Sequence, residues 1–511
     1  MPRRAAWPWD QRTLDRVVLL ALLVLAAVLR LVDLPARGTW DADQGNDMLV
    51  LRGLVLDGRI PLLGPPTSIG DFHHGVLYYY LLSPAAWLTS ADPTGVVAAI
   101  ALSGVAAVGV TWWLARSIGG SIAGAAAGLL MAVSASAVDE STFIWNPNLI
   151  ALTSSVALAG AWRAWTTRKT GWWIVAGLGT IATMHCHVLG TAMLPVTAGL
   201  LVADWRRRTG PERSAVTRAA AVNVALLLLS YVPLAIHELT SDFSESRSAV
   251  DFITGGGEGS GTALPIRFLI VVVRVLAWPL TGLITDAPAA ALIATGLVIV
   301  AIAWRLRSER EAERAAVRWL GLGLLWSTIA LTFGASGLAT VIHGLPNDHY
   351  HAFADPMVFV LVGLGVAALA RLRQPIGAVG AAALVVVLAG YNLANQPPAR
   401  VPDGGWPAAR NASERILAAT GNRPIALESL PTFKPATAMR FPLAQRTSQL
   451  VPTASEPDAA VVVLCDDLFR TAIGAPCGGE AEERLTLLRG RELADRFEAA
   501  PGRWVSVYLP D

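Results

Sequence analysis

Hydrophobic positions along this chain fall into long uninterrupted runs instead of the alternations of an amphipathic surface helix or a half-buried strand. Windows long enough to cross a bilayer, which takes about 20 apolar residues, lie near 16–34, 93–115, 119–138, 148–166, 171–188, 189–205, 218–238, 287–304, 317–340, 353–371 and 376–393. Two shorter or less regular stretches, Val76 to Leu88 and Leu264 to Ile284, are read as interfacial or re-entrant helices. The positive-inside rule favours that reading. With both left out of the count, Arg116, Arg163 with Arg168 and Lys169, Arg206 to Arg208, Arg305 to Arg318, and Arg371 with Arg373 all fall on the side of the N-terminus. The expected fold is a mainly α, polytopic transmembrane bundle of about eleven spans, with the C-terminus on the opposite side.

After Tyr391 the pattern changes. Gln396-Pro-Pro and Val401-Pro-Asp-Gly-Gly form a linker, which divides the chain into a transmembrane domain, 1–394, and a C-terminal extracytoplasmic domain, 395–511. In the latter, 411–420 has helical spacing, while 425–427, 460–464 and 504–509 read as strands, so a small α/β module is expected. Asp466 and Asp467 follow a strand and are read as a solvated loop.

Composition agrees with the runs: over 511 residues, 54% hydrophobic residues and a mean hydropathy of +0.50 lie above what soluble proteins carry, and 15% charged residues lies below it. A net charge of +2, with arginines scattered between apolar runs, argues against nucleic acid as a partner. Basic Met1-Pro-Arg-Arg ahead of the first run reads as the start of an uncleaved helix. Cys465 and Cys477 pair if their region meets an oxidising compartment and are otherwise free thiols. No Cys-x-x-Cys, His-Glu-x-x-His or phosphate-loop motif occurs. The His185/His187 and His343/His349/His351 groups have no spacing that demands a metal, and no cofactor is expected. The Gly255 to Gly261 run reads as a flexible connector or a lid.

Charge is concentrated where the runs stop. The loop after the first run carries Asp41, Asp43, Asp47, Asp57, Asp71, His73 and His74. Charged groups beside a bilayer are costly unless used, which marks this loop as a functional site. Asp139 and Glu140, His185 and His187, and His349 and Tyr350 belong to the same side. Asp43 is equally well placed to cap the helix that follows it, and Tyr78-Tyr79-Tyr80 reads mainly as an aromatic belt at the interface.

The Asp-led motif after the first span, followed by Leu63-Gly-Pro-Pro-Thr-Ser-Ile-Gly-Asp-Phe-His-His-Gly-Val-Leu-Tyr-Tyr-Tyr, resembles membrane glycosyltransferases of the C superfamily. It is most similar to family 39, the protein mannosyltransferase and aminoarabinose transferase group. The resemblance implies an inverting transfer of a sugar from a polyprenyl-phosphate donor to a glycan, lipid or protein acceptor at the outer face of the cytoplasmic membrane. It also implies a first-loop aspartate as base. Asp43 matches the first acid of the family's pair, but Gln44 replaces the second, so Asp41 and Asp47 stay candidates. His74 matches a basic residue that contacts the donor phosphate, with His73, Arg52, His349 and Tyr350 as further candidates. Asp139 and Glu140 match a second-loop acid, and Gly75-Val76 stand where relatives have two prolines. The competing reading is a transporter or flippase of lipid-linked sugars. Such a protein is expected to place ionisable groups at mid-membrane on several helices and to show inverted repeats, neither of which is evident.

Overall fold

The structure is a computed structural model that describes residues 10–67, 71–254, 261–282, 286–339, 348–451, 458–485 and 488–511. The basic N-terminus, the glycine run at 255–260 and His343 lie outside the described residues.

Eight described helices are long and apolar enough to cross a membrane. They cover seven of the windows expected from the sequence, and the eighth, Leu264–Thr281, was expected not to cross. The remaining windows fold as Gln11–Leu31, which carries Arg12, Asp15, Arg16 and Arg30, and as Ser121–Val133, Ile150–Thr167 and Gly171–Cys186. All of these run between two faces defined by their polar ends. On the basic face Arg116 pairs with Asp15 (2.5 Å), Arg371 bonds the Gly119 carbonyl, Arg208 bonds the Arg168 carbonyl (2.9 Å) and Arg305 pairs with Glu313 (2.7 Å). On the other face Ser134 donates to the Pro279 carbonyl (2.8 Å), and Asn392 donates to Leu280 (2.8 Å).

Those contacts also place Leu264–Thr281. Near its start Arg267 donates to the Thr332 carbonyl (3.2 Å), close to the end of helix Glu311–Gly334. Its end meets Tyr391 and Asn392, at the end of helix Ile376–Ala394. Both ends therefore meet the far ends of helices that start at the basic face, and the helix lies along that far face despite its apolar length. The 12-residue helix Leu77–Leu88 does the same between His185 and Pro93.

Packing follows membrane-helix rules, in which small residues allow close approach. A Cβ at Gly160 would stand 2.8 Å from the Ala176 nitrogen, and one at Gly179 would stand 2.6 Å from that of Ala157, so this helix pair meets backbone to backbone. Helix Asp355–Ala370 is apolar all round and buried almost throughout, as the central helix of a bundle should be. Arg30, 1% exposed, is accommodated by the carbonyls of Met131 and Ala132 at a helix C-terminus, where a cation is favoured.

The C-terminal module is a five-stranded sheet of β1 (Ile425–Leu430), β2 (Leu450–Val451), β3 (Ala460–Asp466), β4 (Arg491–Ala500) and β5 (Arg503–Pro510), in the order β2-β1-β3-β5-β4. β2, β1 and β3 are parallel; β5 pairs antiparallel to β3 and to β4. Helix Gly405–Thr420 packs on it, and Cys465 and Cys477 are joined in a disulfide. β4 was not expected, because Glu492, Ala494, Glu498 and Ala499 favour helix; the hairpin through Gly502 (φ 76°) imposes the strand.

The module sits on the first loop. The Trp40 indole donates to the Ala438 carbonyl (2.7 Å) and its ring packs on Trp406 and Phe441. Thr437 donates to the Ala42 carbonyl (2.7 Å), and a Cβ at Gly45 would lie 2.2 Å from the Thr437 oxygen, so only glycine admits this approach.

The two faces give a prediction. A reporter fused after Asp511 is active only outside the cytoplasm, whereas a cysteine placed at Arg207 is shielded from an impermeant thiol reagent in intact cells. Activity of the reporter inside the cytoplasm would overturn the assignment of faces.

Candidate active site

Helix Ala42–Leu56 begins in a capping box: the Asp41 carboxylate accepts from the Ala42 N–H (2.8 Å) and Gln44 accepts from the Asp41 N–H (2.8 Å). The other end of the Gln44 amide donates to the Ile144 carbonyl (2.8 Å). The residue that replaces the expected second acid thus staples the loop to its neighbour. Asp41, not Asp43, is the cap.

One residue into the helix, Asp43 opens into a cavity of about 1550 Å³, its open mouth included. Asp47, one turn on, lies at the same wall but is 2% exposed, and its two oxygens accept from the Tyr78 and Tyr79 hydroxyls (2.8 Å each). Burial pushes its carboxyl up to about 7, against the two phenols and with the charge of Asp43 adding to the rise. The surrounding protein and the charge of Asp41 raise the Asp43 carboxyl, and Lys434 opposes them. Tyr78 and Tyr79 are fully buried, and Tyr80 donates to the Pro61 carbonyl (2.7 Å). The expected aromatic belt is instead a clamp on Asp47.

Across the lumen lie His74, His187, His349, Tyr350 and Trp145. Their rings touch in sequence: His74 to His187 at 4.6 Å between centroids, His187 to Tyr350 at 5.2 Å, Tyr350 to His349 at 4.4 Å and His349 to Trp145 at 4.2 Å. The Val188 N–H donates to His74 Nδ1 (3.2 Å) and the Leu189 N–H to His187 Nδ1 (3.2 Å). A backbone N–H only donates, so each neutral ring carries its proton on Nε2. Burial, then the neighbouring His73, lowers His74 to about 4, so the ring is a neutral N–H donor at pH 7. Phe72, Phe252 and Ile253 give the cavity an apolar side. Gly75 is needed here because a Cβ would meet His185 Nδ1 at 2.1 Å, which accounts for the loss of the expected proline.

Other expected residues are placed elsewhere. Asp41 turns to the C-terminal module, where it pairs with Lys434 (2.7 Å) and Arg503 (3.2 Å). His73 bonds Glu245 through its ring (2.9 Å) and its N–H (2.7 Å), tying the loop to helix Ser244–Thr254. Arg52 is half-buried further along its helix, off the cavity wall, with its charge near Asp57. Asp139 and Glu140 do not line the cavity. Burial raises Asp139 to about 6; burial and the charges of Asp355, Asp139 and Asp348 raise Glu140. Among the described residues no three His, Cys, Asp or Glu side chains are grouped so as to hold a metal ion.

Sequence reasoning missed Arg274 and Asp348. Arg274 grips Asp348 with two hydrogen bonds (2.8 and 2.6 Å), and Asp348 also bonds His351 (2.9 Å), which anchors the turn that presents His349 and Tyr350. The signal was available: an arginine inside the apolar 264–284 stretch needs a partner.

No protein-family model and no curated protein matches the chain by sequence. Among solved structures, the chain is similar to ArnT from Cupriavidus metallidurans in the apo state: TM-score 0.60, 15% identity, 98% of each chain covered. It is similarly close to that protein bound to undecaprenyl phosphate, with TM-score 0.60, 14% identity and 98% of each chain covered. The oligosaccharyltransferase of Archaeoglobus fulgidus in complex with Zn and sulfate follows at TM-score 0.55 and 15% identity, over 96% of this chain and 72% of that one. At such identities the likeness is one of fold. The chain has an ArnT-like fold of membrane-spanning helices with a small C-terminal sheet domain.

The Asp47 site gives a pH prediction. Its folded pKa, about 7, lies above that of an ordinary aspartate, so the folded state loses stability as pH rises from about 4 through about 7. Asp47→Asn, which mimics the protonated acid, raises the thermal midpoint by several degrees at pH 8 and changes it little at pH 4. An equal effect at both pH values would show that burial does not hold the proton on Asp47.

Proposed function

We propose that this protein transfers a sugar, with inversion, from a polyprenyl-phosphate donor to an acceptor hydroxyl at the outer face of the cytoplasmic membrane. The observation that carries this reading is the shared lumen: an unclamped carboxylate, Asp43, and a wall of N–H and O–H donors, His74, His187, His349 and Tyr350, line one cavity with an apolar side. ArnT, similar in fold, has been solved with undecaprenyl phosphate bound, which supports a lipid phosphate as the occupant. Oligosaccharyltransferase, also similar in fold, supports a saccharide as the transferred group.

In this mechanism the acceptor oxygen attacks the anomeric carbon while the bond from that carbon to the phosphate oxygen breaks. Asp43 takes the acceptor's proton, and its raised pKa makes it a stronger base than an ordinary carboxylate. The leaving lipid phosphate is already stable as an anion and needs no proton. His74 Nε2–H, with His349 and Tyr350, holds the charge that develops on it. A single displacement of this kind inverts the anomeric centre with one carboxylate. The arginine-rich face lies in the cytoplasm by the positive-inside rule, so the cavity and the 395–511 module face outward.

Purified protein given a panel of polyprenyl-phosphate sugars and candidate acceptors tests this by release of free lipid phosphate. Asp43→Asn lowers turnover by about a hundredfold or more, the usual scale for a lost general base, with donor binding intact. His74→Ala weakens donor use, and His74→Lys restores part of it by supplying a charged donor. Near-normal turnover in Asp43→Asn, with loss in Asp47→Asn or Asp41→Asn, would move the base. Transfer that survives all three would remove the loop from catalysis, and no release of lipid phosphate from any donor by the unaltered protein would favour transport.

A further inference from the structure

Among the described residues the C-terminal module contributes none to the cavity, yet it reaches the acid next to the proposed base. Lys434, on the connection after β1, pairs with Asp41 (2.7 Å) and Asp466 (3.2 Å). Arg503, at the start of β5, pairs with Asp41 (3.2 Å), Asp403 (3.3 Å) and Asp466 (3.4 Å), and it also donates to the Trp40 carbonyl (2.9 Å). Thr39 bonds Asp403 from the loop side. Asp466 is fixed behind them by its neighbour Cys465, which is tied to Cys477. Two cations are therefore shared among three carboxylates from the first loop, the linker and β3. They line a second cleft of about 640 Å³ whose wall includes Trp40 and Asp41.

Asp41 links this cluster to the site. As N-cap it fixes the start of helix Ala42–Leu56, and Asp43 is the second residue of that helix. Asp41 thus faces the module's cleft, while Asp43 faces the large cavity. We propose that Lys434 and Arg503 are positioning residues, through which the C-terminal module holds the Asp41 cap and so sets where Asp43 stands and how readily it takes a proton. This rests on the reading of Asp43 as the base. The charged and titratable groups around Asp43 are Asp41 at its helix cap, Asp47 on its own helix, Tyr79 on the facing helix, Lys434 on the module and, across the cavity, His74, His187, His349 and Tyr350. Among the described residues Lys434 is the cation that opposes the rise in the Asp43 pKa, so its removal raises that pKa further.

Two readouts test this on the full chain. In hydrogen–deuterium exchange, the Lys434→Met/Arg503→Met variant loses protection at 42–47 by roughly fivefold, the scale of one lost helix cap, while β3 and β5 keep theirs. In the pH profile of lipid-phosphate release, Lys434→Met moves the acidic limb to higher pH, and Lys434→Arg keeps it in place. Unchanged exchange at 42–47 in the double variant, or an acidic limb that Lys434→Met leaves in place, overturns the proposal. If the double variant fails to fold, Lys434→Met, which keeps Arg503 on Asp41, carries both readouts. Exchange does not require turnover, so a loosened loop in a protein that transfers no sugar would uphold the clamp and refute the proposed function.

Discussion

An acid that is to take a proton from its substrate must have no permanent partner, and a charge buried around it is costly unless it has one. That constraint organises this structure. Asp41 is held by Lys434 and Arg503, Asp47 by Tyr78 and Tyr79, Asp348 by Arg274 and His351, and Glu245 by His73. Among the described residues Asp43 alone of the three first-loop candidates has neither an ion pair nor a hydrogen bond to its carboxylate. It is also the one whose side chain stands open in the large cavity. Desolvating a charge costs far more than an exposed ion pair returns, so the paired acids form the frame, and in the proposed reaction Asp43, open to the cavity, takes the proton.

The frame draws on both parts of the chain. The first loop supplies His74, helix ends of the bundle supply Trp145, His187 and the Arg274-anchored turn, and the C-terminal module supplies the cations that hold the loop from behind. Trp40, stacked on Trp406 and Phe441, and Gly45, pressed on Thr437, close the seam by shape. In the proposed reaction the neutral rings of His74 and His187 meet the phosphate as N–H donors without the desolvation penalty of a resting cation.

Much of this was legible in the sequence. Long apolar runs and the arginine pattern gave the traverses and the position of Leu264–Thr281, which length and hydropathy alone would have sent through the bilayer. The first loop stood out by its acids. Which acid faces which partner was not legible, because Lys434 and Arg503 are some 400 residues away in sequence. The tyrosine run misled for a similar reason: aromatic residues after a span suggest an interface, and only the fold shows a buried carboxylate opposite their hydroxyls. β4 was hidden by helix-favouring composition that a hairpin overrides.

The account stands on the cavity between Asp43 and the histidine wall as the seat of a lipid phosphate. A polyprenyl phosphate carrying a photoreactive group near its phosphate end, irradiated with the purified protein and mapped by mass spectrometry, tests that directly. Adducts are expected within 65–67, 72–74, 187–189, 252–253 and 349–350, lost when unlabelled polyprenyl phosphate is added in excess. Adducts confined to the lipid-facing surfaces of the helices, or adducts at these segments that excess polyprenyl phosphate does not displace, would contradict it.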